Sequence, residues 1–281
     1  MSFHIAIFGA SKGIANHVLH DLLPTARITL LLRNPNVFDA DAAVMDAVKD
    51  GRVKLVQGDA TVEADVERAI ESAEVVLTSI GESVSLLLPT SSSPASRLLP
   101  TPPLTPGGTP SFTLRGFKLD NPTVCTDAAR ALLRVLSRIP LSARPRVIAI
   151  SSMGIGTNHS TMPLPLRILY PWLLSGPHAD KEGLEYLLLR AASAFDAPSL
   201  PAILAISGSA DTSADPALEN ILPHLILVRP ALLTDGAPAA VRAAEDLSAY
   251  SVSRASVGRW IAQHCMPDQD QWVNRAPVLG Y

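Results

Sequence analysis

The chain has 281 residues, 47% of them hydrophobic, which is enough to bury a full core in one large domain. Its 23 Lys+Arg against 26 Asp+Glu give a formal charge of −3 with no basic run, which argues against nucleic acid as a partner. No segment reaches the ~20 apolar residues that span a membrane, and the most apolar late run, Leu164 to Leu174, is interrupted by Pro165 and Pro171.

The first apolar run, Phe3 to Phe8, ends in the turn Gly9-Ala10-Ser11-Lys12-Gly13. An amphipathic stretch with Ile14, Val18, Leu19, Leu22 and Leu23 at helical spacing follows. A strand, a tight glycine turn and a helix in that order aim backbone N–H groups and the positive end of a helix at one spot, where a pyrophosphate fits. Ile28 to Leu32 reads as a second, fully buried strand, Val53 to Gln57 as a third and Val75 to Ser79 as a fourth. Helical patterns separate them: Asp41 to Lys49, then Val62 to Ser72 behind a Thr61 cap. A long helix from Pro122 to Leu136 precedes a fifth strand, Arg146 to Ile150, and Leu225 to Val228 is the sixth. Ser253 to Gln263 reads as a late helix with Val257, Trp260 and Ile261 facing inward. This alternation predicts a Rossmann-type doubly wound parallel sheet with helices on both faces and a small C-terminal substrate-side region. Ligand is expected at the carboxyl ends of the strands, where strand order reverses between the first and the fourth.

Two stretches break the rhythm, 83–112 (rich in Pro, Ser and Thr) and 198–216 (rich in Ala, Ser, Pro and Asp). Both read as surface insertions with little regular structure in a single dinucleotide-binding domain spanning 1–281. The first, leaving from the fourth strand, is either a lid over substrate or a plain loop. Cys125 and Cys265 lack metal-ligand spacing and are too few for a disulfide framework. They read as buried free thiols in a reducing compartment, so no metal site and a cytoplasmic location are expected.

Taken together, Gly9 to Ala15, Gly58-Asp59, Ile80-Gly81, Ser151-Ser152-Met153-Gly154, Asp180-Lys181-Glu182, Val228-Arg229-Pro230 and the segment from Val252 to Ala262 resemble a known pattern. It is that of the extended and atypical branches of the short-chain dehydrogenase/reductase superfamily, and within them the NmrA-like NAD(P)-binding proteins. The resemblance covers most of the chain apart from the two insertions. It implies that Gly9, Ser11, Lys12, Gly13 and Ile14 seat the pyrophosphate, with Ala15 replacing the third glycine of the family pattern. It implies further that Asp59 meets the adenine, that Ile80 and Gly81 pass the adenine and ribose, and that Arg229-Pro230 lies beside the nicotinamide. The rival reading of Asp59 is a turn acid. NAD-selective proteins place Asp or Glu at the end of the second strand; here Arg33 stands there, with Lys12 in the glycine turn and no acid before Asp39. Two cations beside the ribose favour a 2′-phosphate, so NADP(H) is the expected cofactor.

Tyrosine-bearing members of the superfamily use Ser to orient a carbonyl, Tyr as acid and Lys four residues on to hold the ribose. Here Ser151 and Ser152 leave the fifth strand, and Lys181 stands near the start of a helix with Leu184, Leu187 and Leu188 on its apolar face. Pro177, not Tyr, precedes Lys181 by four residues. Tyr170, His178 one turn before Lys181, and water held by Ser152 are the candidate proton sources. An i, i+4 pair of Lys181 with Glu185 is the rival account of that lysine. Regions 153–177 and 229–281 would form the substrate side, with Met162 and Trp172 in a flap or in the core. The expectation is an NADP(H)-dependent oxidoreductase, monomeric or homodimeric, for a small, mostly apolar carbonyl or related substrate. The alternatives are a non-catalytic NADP(H) sensor and an epimerase or dehydratase using the same cofactor.

Overall fold

The computed structural model describes residues 3–81, 111–113, 116–118, 122–155, 162–164, 167, 175–195, 201, 204 and 218–281. Among these residues twelve strands are formed: β1 (His4–Phe8), β2 (Arg27–Leu32), β3 (Val53–Gln57), β4 (Val75–Thr78), β5 (Ser111–Thr113), β6 (Gly116–Lys118), β7 (Arg146–Ile150), β8 (Leu225–Pro230), β9 (Leu232–Thr234), β10 (Arg242–Ala244), β11 (Ser251–Ser253) and β12 (Val278–Gly280). The helices are α1 (Gly13–Leu22), α2 (Ala42–Lys49), α3 (Glu63–Ile70), α4 (Val124–Ser137), α5 (Ser175–Ala191) and α6 (Arg254–His264). Eight strands build one sheet in the order β10-β12-β8-β7-β4-β1-β2-β3. Every neighbouring pair is parallel except β10 with β12.

The strands at the centre of the sheet are apolar on both faces because both are covered. Ile5 and Ile7 of β1 pack toward α1, α2 and α6, whereas Ala6 and Phe8 pack toward α3, α4 and α5. Helix α6 lies close on α1, since a Cβ at Gly258 would fall 2.5 Å from the Cβ of His17. Val257, Trp260 and Ile261 are buried as the late-helix pattern predicts. Strand order reverses between β1, which leads outward to β2, and β4, which leads to β7. That is the switch point expected from the alternation.

Several expectations are corrected. Thr61 does not cap α3: Asp59 Oδ1 accepts both the Thr61 amide (2.9 Å) and its hydroxyl (2.8 Å), so the threonine is used in a turn before the helix starts at its N-cap, Val62. The sixth strand runs on to Pro230. The end of the first insertion is regular, because Phe112 of β5 pairs with Phe117 of β6 in an antiparallel hairpin. The stretch 83–110 lies outside the described residues, as does most of 198–216. Strands β9 to β12 have no counterpart in the sequence reading; at three residues each, they are too short for period-2 alternation to register.

The turn after β1 is held open by geometry at one residue. Gly9 has φ +83°, and a Cβ there would stand 2.6 Å from the Ser79 carbonyl oxygen just past β4. Gly13 has φ +71°, but a Cβ on it would meet nothing within 4 Å. Gly13→Ala therefore carries only the left-handed backbone cost of about 1–2 kcal/mol, whereas Gly9→Ala adds a backbone clash and should lose about 1–3 kcal/mol more. Urea unfolding of the two variants measures the difference; equal losses would mean that Ser79 moves aside freely.

Candidate functional site

The carboxyl edge of the sheet gathers residues from six adjacent strands. In spatial order they are Asp59 after β3, Arg33 after β2, the Gly9–Gly13 turn after β1, Ile80 and Gly81 after β4, Ser151 and Ser152 after β7, and Arg229-Pro230 at the end of β8. From β2 to β7 is three inter-strand steps, roughly 14 Å at about 4.8 Å each. An elongated ligand can lie across them.

At the switch point, α1 begins without a side-chain cap, because its N-cap residue is Lys12 and makes no capping hydrogen bond. By contrast Asp41 caps α2 and Ser253 caps α6. Open amides, the positive helix end and the space over Gly13 make α1 the helix start suited to phosphate. Asn16 Nδ2 steadies the loop by donating to the Ala10 carbonyl at 3.1 Å. Ser11 and Lys12 are exposed and Ile14 is buried beneath the turn. Arg33 is also exposed, and neither Lys12 nor Arg33 makes a hydrogen bond or ion pair among the described residues. Asp59 Oδ1 serves the turn, and its Oδ2 makes no hydrogen bond among the described residues.

Lys181 joins two strand ends. Its Nζ donates to the Ile80 carbonyl at 2.7 Å and to the Ile150 carbonyl at 2.7 Å. An ammonium has three hydrogens, and these two carbonyls take two of them. Glu185 is not its partner, contrary to the i, i+4 reading. It is turned to Arg229, whose Nε and Nη2 donate to Oε1 and Oε2 at 3.0 and 2.7 Å. Both side chains are buried, and they form a bidentate pair. Ser151 is buried and its Oγ makes no hydrogen bond among the described residues. Ser152 Oγ donates to the Met153 carbonyl at 3.3 Å. His178 stands on α5 one turn before Lys181 and is half-buried. Tyr170 and Trp172 lie outside the described residues.

Three side chains to which the sequence reading gave no part in the site stand at this corner: Asp180, Thr126 and Cys125. Asp180 ties α5 to the start of α4, and the Cys125 thiol donates to the Ile80 carbonyl at 3.2 Å, the same oxygen that Lys181 holds. Their only trace in the sequence is the adjacency of Asp180 to Lys181. A cleft lined by His4, Arg27, Lys54 and Arg68 opens at the opposite, amino-terminal edge of the sheet, beyond the end of α3 and away from all these groups. Among the described residues, no helix is long and apolar enough to cross a membrane and no cluster has metal-ligand character.

Comparison with known proteins places this geometry. A family model described as NAD(P)H-binding matches residues 9–217. The reductase pytE of Aspergillus terreus is 26% identical over 304 aligned positions, covering 99% of this chain and 97% of that protein. The oxidase pynE of Aspergillus niger is 31% identical over 216 positions, covering 66% and 70%. Among solved structures, a short-chain dehydrogenase/reductase from Veillonella parvula in complex with NADP gives a TM-score of 0.56 at 15% identity, covering 100% of this chain and 95% of its own. The anaerobillin reductase ChuY of Escherichia coli O157:H7 gives 0.60 at 13% identity, covering 99% and 96%. At such identity these two structures share the fold.

Both cysteines are buried free thiols, as their spacing predicts. Burial pushes each up to about 12, the nearby Lys181 ammonium opposing it at Cys125 and Arg146 at Cys265. The folded state thus holds these protons where the unfolded chain, at about 8.5, releases them. Their contribution to stability is complete below pH ~8.5 and is lost as pH rises toward 12. Cys125→Ala/Cys265→Ala should show a shallower alkaline fall in unfolding free energy than the natural chain; parallel curves would contradict buried, protonated thiols.

Proposed function

The chain belongs to the NAD(P)H-binding family, and from that premise we propose that it is an NADP(H)-dependent oxidoreductase for a small, mostly apolar carbonyl or related substrate. The observation that carries this reading is the meeting of Ser151, Ser152 and Lys181 at the end of β7. When bound, the nicotinamide supplies or accepts a hydride. The residues fit such a group: α1 offers uncapped amides, Gly13 leaves open space, and Ser151 Oγ is a buried polar atom without a partner among the described residues.

In this reading the α1 amides hold the pyrophosphate, and Lys12 and Arg33 hold a 2′-phosphate through charge-assisted hydrogen bonds. The third Lys181 hydrogen meets a ribose hydroxyl, and the Ser151 or Ser152 hydroxyl donates to the substrate oxygen and polarises it. His178, Tyr170 and water held by Ser152 are the proton sources compatible with the sequence. The printed names of the Aspergillus relatives, one a reductase and one an oxidase, support redox chemistry at such a site. Regions 153–177 and 229–281 supply the substrate side, and the free thiols support a reducing compartment such as the cytoplasm. Two observations favour a second reading, a non-catalytic NADP(H) sensor: Pro177 stands where tyrosine-bearing relatives carry the acid, and Lys181 is engaged with main chain.

Mixing the protein with NADPH and a panel of quinones, aldehydes and flavins, while following nicotinamide absorbance, separates the two. The enzyme reading expects turnover that falls at least about 100-fold in Ser152→Ala or Lys181→Ala; tight binding with no turnover on the panel selects the sensor. For cofactor choice, Arg33→Asp should weaken NADPH binding by about 10-fold or more while leaving NADH binding within about threefold. Equal weakening of both would refute the 2′-phosphate assignment.

A further inference from the structure

Asp180 is buried, 3% exposed, one residue before Lys181. Its Oδ2 accepts the Cys125 amide at 2.8 Å, and its Oδ1 accepts the Thr126 amide at 2.9 Å. Thr126 Oγ1 lies 2.8 Å from the same Oδ1 and 3.0 Å from the Asp180 carbonyl, sharing its one hydrogen between them. The carboxylate thus caps α4 from α5, across more than fifty residues of chain. Thr123, the N-cap residue of α4, makes no capping bond and instead donates its hydroxyl to Asp127. A negative charge is favoured at a helix N-terminus, but a residue of α4's own leading turn would serve that purpose alone. A cap supplied by α5 also sets where α5 stands. The contact is close: a Cβ at Gly183 would fall 2.3 Å from Thr126 Oγ1.

We propose that Asp180 is a positioning residue for the cofactor site, holding α5 against α4 so that Lys181 Nζ sits between the Ile80 and Ile150 carbonyls. The role rests on reading the carboxyl edge as a nicotinamide dinucleotide site. Asp180 and Lys181 are consecutive on one helix, so any slide or rotation of α5 that spoils the cap also spoils the two 2.7 Å bonds of the ammonium. The ammonium hydrogen left for the ribose then points elsewhere. Asp180→Asn keeps the volume but turns an NH2 toward one of the two backbone donors.

The test is a double-mutant cycle on NADPH affinity, followed by fluorescence titration, with thermal melting recorded in parallel. If Asp180 acts through Lys181, Asp180→Asn weakens NADPH binding about tenfold in the natural background and less than about twofold when Lys181→Met is already present. A merely structural cap would lower the melting temperature alike in both backgrounds and weaken binding alike in both. Thr126→Val is the milder probe should Asp180→Asn fail to fold. It retains the carboxylate and both amide bonds, and about a threefold loss with the same dependence on Lys181 is expected. Equal losses in the two backgrounds, or no loss in either, overturn the positioning role and leave the cofactor reading standing. Absence of NADPH binding by the natural chain overturns both.

Discussion

No side chain fits between the end of β1 and the Ser79 carbonyl, and the carboxyl edge is arranged by that restriction. The backbone must turn there with positive φ to enter α1 while the neighbouring strand passes at contact distance. Glycine satisfies both demands. The result is a helix whose first amides face the gap between two diverging halves of the sheet, where no side chain among the described residues caps them. A helix start placed this way is suited to phosphate because of how the sheet is wound, before any ligand-specific side chain is considered.

Around that gap, polar side chains divide into those spent on structure and those left available. Helix α5 is fastened by three charges in succession: Asp180 to the start of α4, Lys181 to the ends of β4 and β7, and Glu185 to Arg229 on β8. A buried, bidentate pair such as Glu185–Arg229 is costly to break from one side, by about 3–5 kcal/mol, so it resists displacement of β8 relative to α5. Among the described residues, in contrast, Lys12 and Arg33 are exposed and make no hydrogen bond or ion pair, and the buried Ser151 hydroxyl has no partner. The committed charges hold the frame; the uncommitted groups lie along its carboxyl edge between β2 and β7.

Much of this was legible from residues alone, for physical reasons that also mark where legibility stops. Runs such as Ile28 to Leu32 announce strands covered on both faces, and Gly9 and Gly13 announce the turn, because few residues tolerate those conditions. The reversal of strand order between the first and fourth strands followed from the alternation. Long-range polar pairing did not: Glu185 looks like the i, i+4 partner of Lys181 until β8 brings Arg229 to it. Thr61 looks like a cap until Asp59 takes its hydroxyl. Asp180 reads as one more helix charge, since nothing local tells that α4 will lie across it. The β9–β12 additions were invisible for want of length, and Tyr170 and the substrate-side stretch around it fall outside the described residues.

The central claim is that a nicotinamide dinucleotide rests on the uncapped start of α1. Amide hydrogen exchange with and without NADPH tests it most directly. The account predicts slowed exchange at Gly13, Ile14 and Ala15, accompanied by the backbone at Ile80 and Gly81. Unchanged exchange at α1, or protection confined to the cleft of His4, Arg27 and Lys54 at the far edge of the sheet, would contradict it.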